Sequence, residues 1–170
     1  LGVDVDANDG RVIVVPRDPT NERFVKMDWR GEGEEPSVQD VVRVIQEIGG
    51  AVLACHPYLD DGGPFLGDGV YDIDGLSGIE IECGLRKRLP NDLALEAAVG
   101  MNLPTLAGSD TGPEGQRLGR FATAFASEVG SQSELVDALN SGACWAVRIE
   151  ESRGNTGPRP RRPRGRGRRG

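Results

Sequence analysis

GGAVLACHPY, residues 49–58, carries a helix stop, a buried strand and a fixed turn in one short run. The paired glycines release the chain from a preceding helix, since glycine tolerates the left-handed conformation that ends one. Residues 51–55 form an unalternating apolar run of strand length, which predicts a strand covered on both faces, as in a parallel sheet. Pro57 lacks the backbone donor that a continuing ladder needs, so His56 stands at the carboxyl end of that strand.

The pattern repeats on both sides of this run. Upstream, Ser37 is placed to cap a helix with Asp40 in the third position, and Val38, Val41, Val42, Ile45 and Ile48 recur on one face. Residues 12–15 predict an earlier buried strand after the turn residues Asn8, Asp9 and Gly10, and residues 16–36 read as a loop. Downstream, residues 78–83 predict a strand, 92–99 a helix stopped by Gly100, and 105–107 another strand. Ser131 and Glu134 form a capping box for a helix closed by Gly142, and residues 144–149 give a final strand. Strand and helix alternate, which predicts an α/β architecture with its functional groups at the carboxyl ends of strands.

Composition bounds the function. The 170 residues suit one folded body, and no apolar run approaches the roughly 20 residues that cross a bilayer. The expectation is a cytoplasmic protein without membrane contact. The net charge of -7 is uneven: residues 151–170 hold eight arginines and one glutamate, whereas residues 1–150 carry a net -14. An acidic body offers no broad face for phosphate backbones, so any nucleic-acid binding falls to the tail. From Gly154 the chain is Gly, Pro, Arg, Asn and Thr alone, which cannot offset ordering entropy by apolar burial. We expect a domain at 1–152 and a disordered basic tail at 153–170, capable at most of weak nucleic-acid or anion binding. Cys55, Cys83 and Cys144 are widely spaced with no CxxC pattern, and read as small buried hydrophobes in a reducing compartment.

Two residues could carry chemistry. His56 is the one histidine of the chain, and Asp110, in AGSDTG at 107–112, takes the matching position after the strand at 105–107. A lone histidine is more often a structural hydrogen-bonding group, and the aspartate also suits an Asx turn. As a pair at two strand ends they could bind a divalent cation, although three protein groups per metal are needed. Glu80 and Glu82 alternate with Ile79 and Ile81 and so share one strand face, and a structural role is expected for both ahead of metal binding. Asp60, Asp61, Asp68, Asp72 and Asp74 crowd a Gly-rich loop without EF-hand spacing, and read as solvated.

Taken in order, GGAVLACHPY, GIEIECG, LPNDLALEAAVGMNLPTLAGSDTG, GRFATAF and SELVDALNSG resemble successive blocks of the C-terminal part of the PHP (polymerase and histidinol phosphatase) superfamily of metal-dependent phosphoesterases. The resemblance implies a partial, distorted (β/α)7-type barrel with mostly parallel strands and a metal cleft at the strand ends. It implies hydrolysis of phosphoesters in nucleotides or small phosphorylated metabolites with Mn, Zn or Fe. His56 and Asp110 match the family's metal-binding and catalytic positions, and Asp4 is similar to an acidic residue that bridges metals. Arg120, in GRFATAF, is the candidate contact to a substrate phosphate. The chain departs from the pattern at Arg11 and Gly112, where the family often has histidine, and the family's HxH motif would lie before Leu1. The expectation is an incomplete or degenerate hydrolase; the alternative is a non-catalytic binding or regulatory module of the same fold with an anion-binding tail.

Overall fold

Val3, Val5 and Ala7 alternate with Asp4 and Asp6, and burial follows that alternation, with Val5 and Ala7 inside and both aspartates exposed. This is β1 (Val3–Ala7), the edge of a sheet seen here in a computed structural model that describes residues 2–27, 35–84, 88–109 and 118–149. Asn8 and Asp9 turn the chain into β2 (Gly10–Val15), so that Ala7 pairs with Gly10 and Val3 with Val14 in an antiparallel hairpin. The same turn braces the next layer, because Asp9 Oδ1 accepts from Val38 N at 2.8 Å.

The interval read as loop contains a short helix, α1 (Glu22–Lys26), whose cap Asn21 accepts from Arg23 N and Phe24 N and which buries Phe24. Helix α2 (Val38–Glu47) begins as expected, with Ser37 Oγ accepting from Asp40 N at 3.1 Å and donating to Asp40 Oδ2 at 2.7 Å. It stops at Gly49, which takes φ 72°. Strand β3 (Ala51–Ala54) follows, then β4 (Gly78–Glu82), helix α3 (Arg88–Gly100) and β5 (Thr105–Ala107). Helix α3 starts four residues ahead of the expected 92–99, with Pro90 in its first turn, where a missing backbone donor costs nothing.

The five strands lie in chain order, β1-β2-β3-β4-β5. The pairings β3 with β4 and β4 with β5 are parallel, but β1 with β2 and β2 with β3 are antiparallel. The expectation of mostly parallel strands is therefore corrected: the sheet is mixed. A two-residue turn can only reverse the chain, which makes the first pairing antiparallel whatever the later crossovers do. Among the described residues the strands form no closed barrel.

Each face of the sheet has its own cover. Val5, Ala7, Val12, Val14, Val52, Ala54 and Ile79 point to α2 and α3, meeting Val38, Val41, Val42 and Ile45 from one helix and Ala94, Ala97 and Ala98 from the other. On the opposite face Ala51, Leu53 and Leu106 meet Val136 and Leu139 of α4 (Gln132–Asn140). Ser131 caps α4 through Glu134 N at 3.2 Å, as the sequence predicts. The antiparallel pair β6 (Phe121–Phe125) and β7 (Cys144–Arg148) extends this cover beside β5. Its attachment uses side chains: Thr123 Oγ1 donates to Ala107 O and accepts from Ala107 N, both at 3.1 Å, and Ala146 N donates to Thr105 Oγ1. Cys55, Cys83 and Cys144 are buried thiols, and none is in a disulfide among the described residues. The expected boundary near residue 152 and the basic tail lie outside the described residues.

Candidate metal centre

Among the described residues, polar side chains gather on the second face toward the carboxyl ends of β3 and β4. The register explains which ones. Leu53 pairs with Gly78, so Gly78 and Glu80 share the face of Leu53, and Asp6 pairs with Arg11 on the corresponding face of the hairpin. The chain past β3 then brings Cys55 and His56 over Glu80.

His56 takes φ 30°, a conformation seldom adopted by residues other than glycine. It is held there on both sides: Cys55 N donates to Arg11 O at 3.1 Å, Leu59 N to His56 O at 2.9 Å, and Gly67 N to Pro57 O at 2.8 Å. Strain maintained by its surroundings clusters at functional positions. The ring is engaged at both nitrogens. Nδ1 lies 3.0 Å from Glu80 Oε2 and Nε2 lies 3.1 Å from Arg11 Nη1. Cys55 Sγ is 3.1 Å from His56 Nδ1 and donates to Glu80 Oε2 at 3.5 Å. Burial, then the charges of Glu80 and Asp4, push the Cys55 thiol above its ordinary range, so it is protonated here.

Arg11 binds the cluster to its surroundings, donating from Nε to Asp6 Oδ1 at 2.6 Å and from Nη1 to Asp61 Oδ2 at 3.2 Å. The hydrogen bond to Asp6, and then that to Asp61, raises its guanidinium further above its ordinary range against the opposing effect of burial. Asp4 stands beside the cluster, within electrostatic reach of Arg11, Asp6, His56 and Glu80. Desolvation raises its carboxyl above the usual range, against the lowering influence of Arg11.

Donor atoms of Cys55, His56 and Glu80 all lie within 4.8 Å of one another. Sulfur, imidazole nitrogen and carboxylate oxygen are the donor set of a zinc-class ion. Bond lengths of about 2.0–2.3 Å in a tetrahedron give ligand separations of about 3.4–3.6 Å. The separations of 3.0, 3.1 and 3.5 Å need to open by only a few tenths of an ångström. Three protein ligands leave a fourth position open, as catalytic sites do. The residues present therefore fit such an ion.

The sequence-derived candidates distribute as follows. His56 is central and Asp4 is adjacent. Asp110 lies outside the described residues; the chain leading to it passes close to Glu80, because a Cβ on Gly108 would sit 2.8 Å from Glu80 Oε1. Arg120 precedes β6, where Ser109 Oγ donates to Phe121 O and accepts from Phe121 N. That places its backbone at the same end of β5. Glu82 accepts from Asn91 Nδ2 at 2.8 Å and Arg148 Nη2 at 2.9 Å. Glu80 and Cys55 lie in the cluster with His56. The available signals were the two-residue phase from Gly78 to Glu80 and the adjacency of Cys55 to His56. Of the crowded acidic loop, Asp61 reaches the cluster through Arg11.

An α/β fold with a metal-type donor cluster at its strand ends is thus the class of protein these features define. No protein-family model matches the chain, and no curated protein sequence matches it. Among solved structures the chain is similar to PsfC from Pseudomonas syringae, with 16% identity and a TM-score of 0.62 over 87% of this chain and 58% of that one. That likeness shows a shared fold. A "putative metal-dependent phosphoesterase" from Bifidobacterium adolescentis aligns over 67% of this chain and 40% of its own, with 21% identity and a TM-score of 0.45. The chain spans less than two thirds of either protein. No helix among the described residues is long and apolar enough to cross a membrane.

Proposed function

We propose that this chain carries part of the metal-binding site of an incomplete or degenerate phosphoester hydrolase acting on nucleotides or small phosphorylated metabolites. The observation that carries the reading is the triangle of Cys55 Sγ, His56 Nδ1 and Glu80 Oε2 at the ends of two parallel strands. The phosphoester class rests on the resemblance of the blocks around His56 and Asp110. When bound, a Zn, Mn or Fe ion supplies an activated water and offsets charge on phosphoester oxygens. Glu80 and the Cys55 thiolate would provide negative ligands, and His56 a neutral one held by its fixed backbone. Asp110 and Asp4 are assigned to complete the ligand set. Arg120 is assigned to the substrate phosphate, where a planar fork of donors suits the anion.

The test is equilibrium dialysis of the chain against Zn, Mn and Fe ions, with metal counted by mass spectrometry and hydrolysis of bis(p-nitrophenyl) phosphate followed in parallel. Binding of one ion or more, lost in His56→Ala and Glu80→Gln, supports the reading. Metal content unchanged by both substitutions overturns it.

One observation favours the other class, a binding module without catalysis. Arg11 already places a positive charge at His56 Nε2 and between Asp6 and Asp61, so part of the cluster's negative charge is offset without an ion. Metal binding with no hydrolysis, by this chain and by any longer form, would select that reading.

A further inference from the structure

We propose that Arg11 is an internal antagonist of the metal seat: its guanidinium locks His56 in the tautomer that cannot coordinate at Nδ1, so that an ion enters only when Arg11 swings away. The inference rests on the reading of Cys55, His56 and Glu80 as a metal site.

The argument is one of donors and acceptors. A guanidinium has hydrogen-bond donors and no acceptor, and it does not deprotonate in proteins. With Arg11 Nη1 at 3.1 Å from His56 Nε2, that nitrogen must present its lone pair. The ring proton then sits on Nδ1, where it is donated to Glu80 Oε2 at 3.0 Å. Coordination at Nδ1 needs the lone pair there, and a neutral ring must carry its proton on Nε2 instead. The Nε2–H would face an Arg11 N–H, donor against donor. Ion and guanidinium therefore exclude one another at the two ends of a single imidazole. The proton balance is simple: the ring proton moves from Nδ1 to Nε2 through solvent, and the Cys55 thiol gives one proton to solvent as sulfur binds.

The surroundings let Arg11 leave. Asp6 and Asp61, which hold it, are 62% and 40% exposed at their side chains, whereas His56 and Glu80 are 17% and 11% exposed. A Cβ on Gly63 would lie 3.1 Å from Arg11 Nη2, so the bare glycine keeps space beside the guanidinium. Gly62, its neighbour, takes φ 95° with nothing within 4 Å of a Cβ, so the turn carrying Asp61 is open on that side.

Because His56 is the one histidine in the chain, its two ring nitrogens can be observed without assignment ambiguity in a long-range proton–nitrogen NMR spectrum. The metal-free protein is expected to show the proton on Nδ1, and zinc-loaded protein to show it on Nε2. An Nε2–H tautomer in the metal-free protein overturns the proposal, and this readout requires no variant. In zinc titrations, Arg11→Gln is expected to bind about tenfold or more tightly than the parent, the factor that follows from exchanging one charge-assisted contact for a repulsive one. It should also exceed Arg11→Met, since glutamine can accept from Nε2–H and methionine carries the same charge change without an acceptor. Arg17→Gln, which removes a cation held elsewhere by Asp137, should leave affinity unchanged. Equal affinity in the parent and Arg11→Gln, with binding still lost in Glu80→Gln, sinks the Arg11 inference and leaves the seat standing. Zinc binding by neither parent nor Arg11→Gln sinks both.

Discussion

Gly84→Ala tests how the ends of β4 and β5 are brought together. Gly84 takes φ 74°, where a side chain costs about 1–2 kcal/mol. A Cβ there would overlap the carbonyl oxygen of Ser109 and lie 2.7 Å from its carbonyl carbon, both backbone atoms that can move only if the loop after β5 moves. Forcing such an overlap costs about 1–3 kcal/mol more. The expected loss of unfolding free energy is therefore about 2–5 kcal/mol, and the bond from Gly108 N to Glu82 O at 2.8 Å should be strained with it. Gly142→Ala is the control, since Gly142 takes φ 72° after α4 with nothing within 4 Å of a Cβ. It isolates the backbone contribution. Urea unfolding followed by far-ultraviolet circular dichroism gives both values at matched m. If Gly84→Ala falls within about 0.5 kcal/mol of Gly142→Ala, the close approach of the two strand ends is not as described.

Two further outcomes are expected. Ile45→Ala removes a fully buried side chain from α2 where it packs on the sheet, and should cost about 2–5 kcal/mol in the same assay, while Val25→Ala, at a position 65% exposed, should change stability by less than about 0.5 kcal/mol. Cys55 supplies a pH dependence: burial raises its thiol above the unfolded value of about 8.5, so the native state holds that proton more tightly. The resulting stability is intact below about pH 8.5 and declines as pH rises further, with a slope of at most about 1.4 kcal/mol per pH unit. Cys55→Ala should flatten that decline between pH 8.5 and 10, and parallel curves for parent and variant would contradict it.

Local chemistry explains why much of the fold was legible. Ser37 with Asp40, and Ser131 with Glu134, announced two helices by the same hydrogen bonds that start them. Apolar runs at 51–55 and 105–107 marked strands because both faces are covered. Strand β1 and helix α1 escaped for the opposite reason: β1 is a short edge whose aspartates are exposed, and α1 is five residues held by one cap. Of the cluster, His56 was legible from Pro57 and the strand end. Glu80 carries no such local mark, because only the parallel register of Leu53 with Gly78 sets it beside the ring. The contact from Arg11 to His56 spans 45 residues, and no local spacing encodes it.

The threonine attachment of the β6–β7 pair has a mechanical consequence. Strand β5 is three residues long, and among the described residues the hydroxyls of Thr105, Ser109 and Thr123 link its end of the sheet to the pair in place of a continuous ladder. A seam of so few bonds can part while the five-stranded body stays whole, making the pair a cooperative opening unit of its own. Amides of Ala107 and Ala146 sit on that seam and should exchange with solvent ahead of those in β2 and β3.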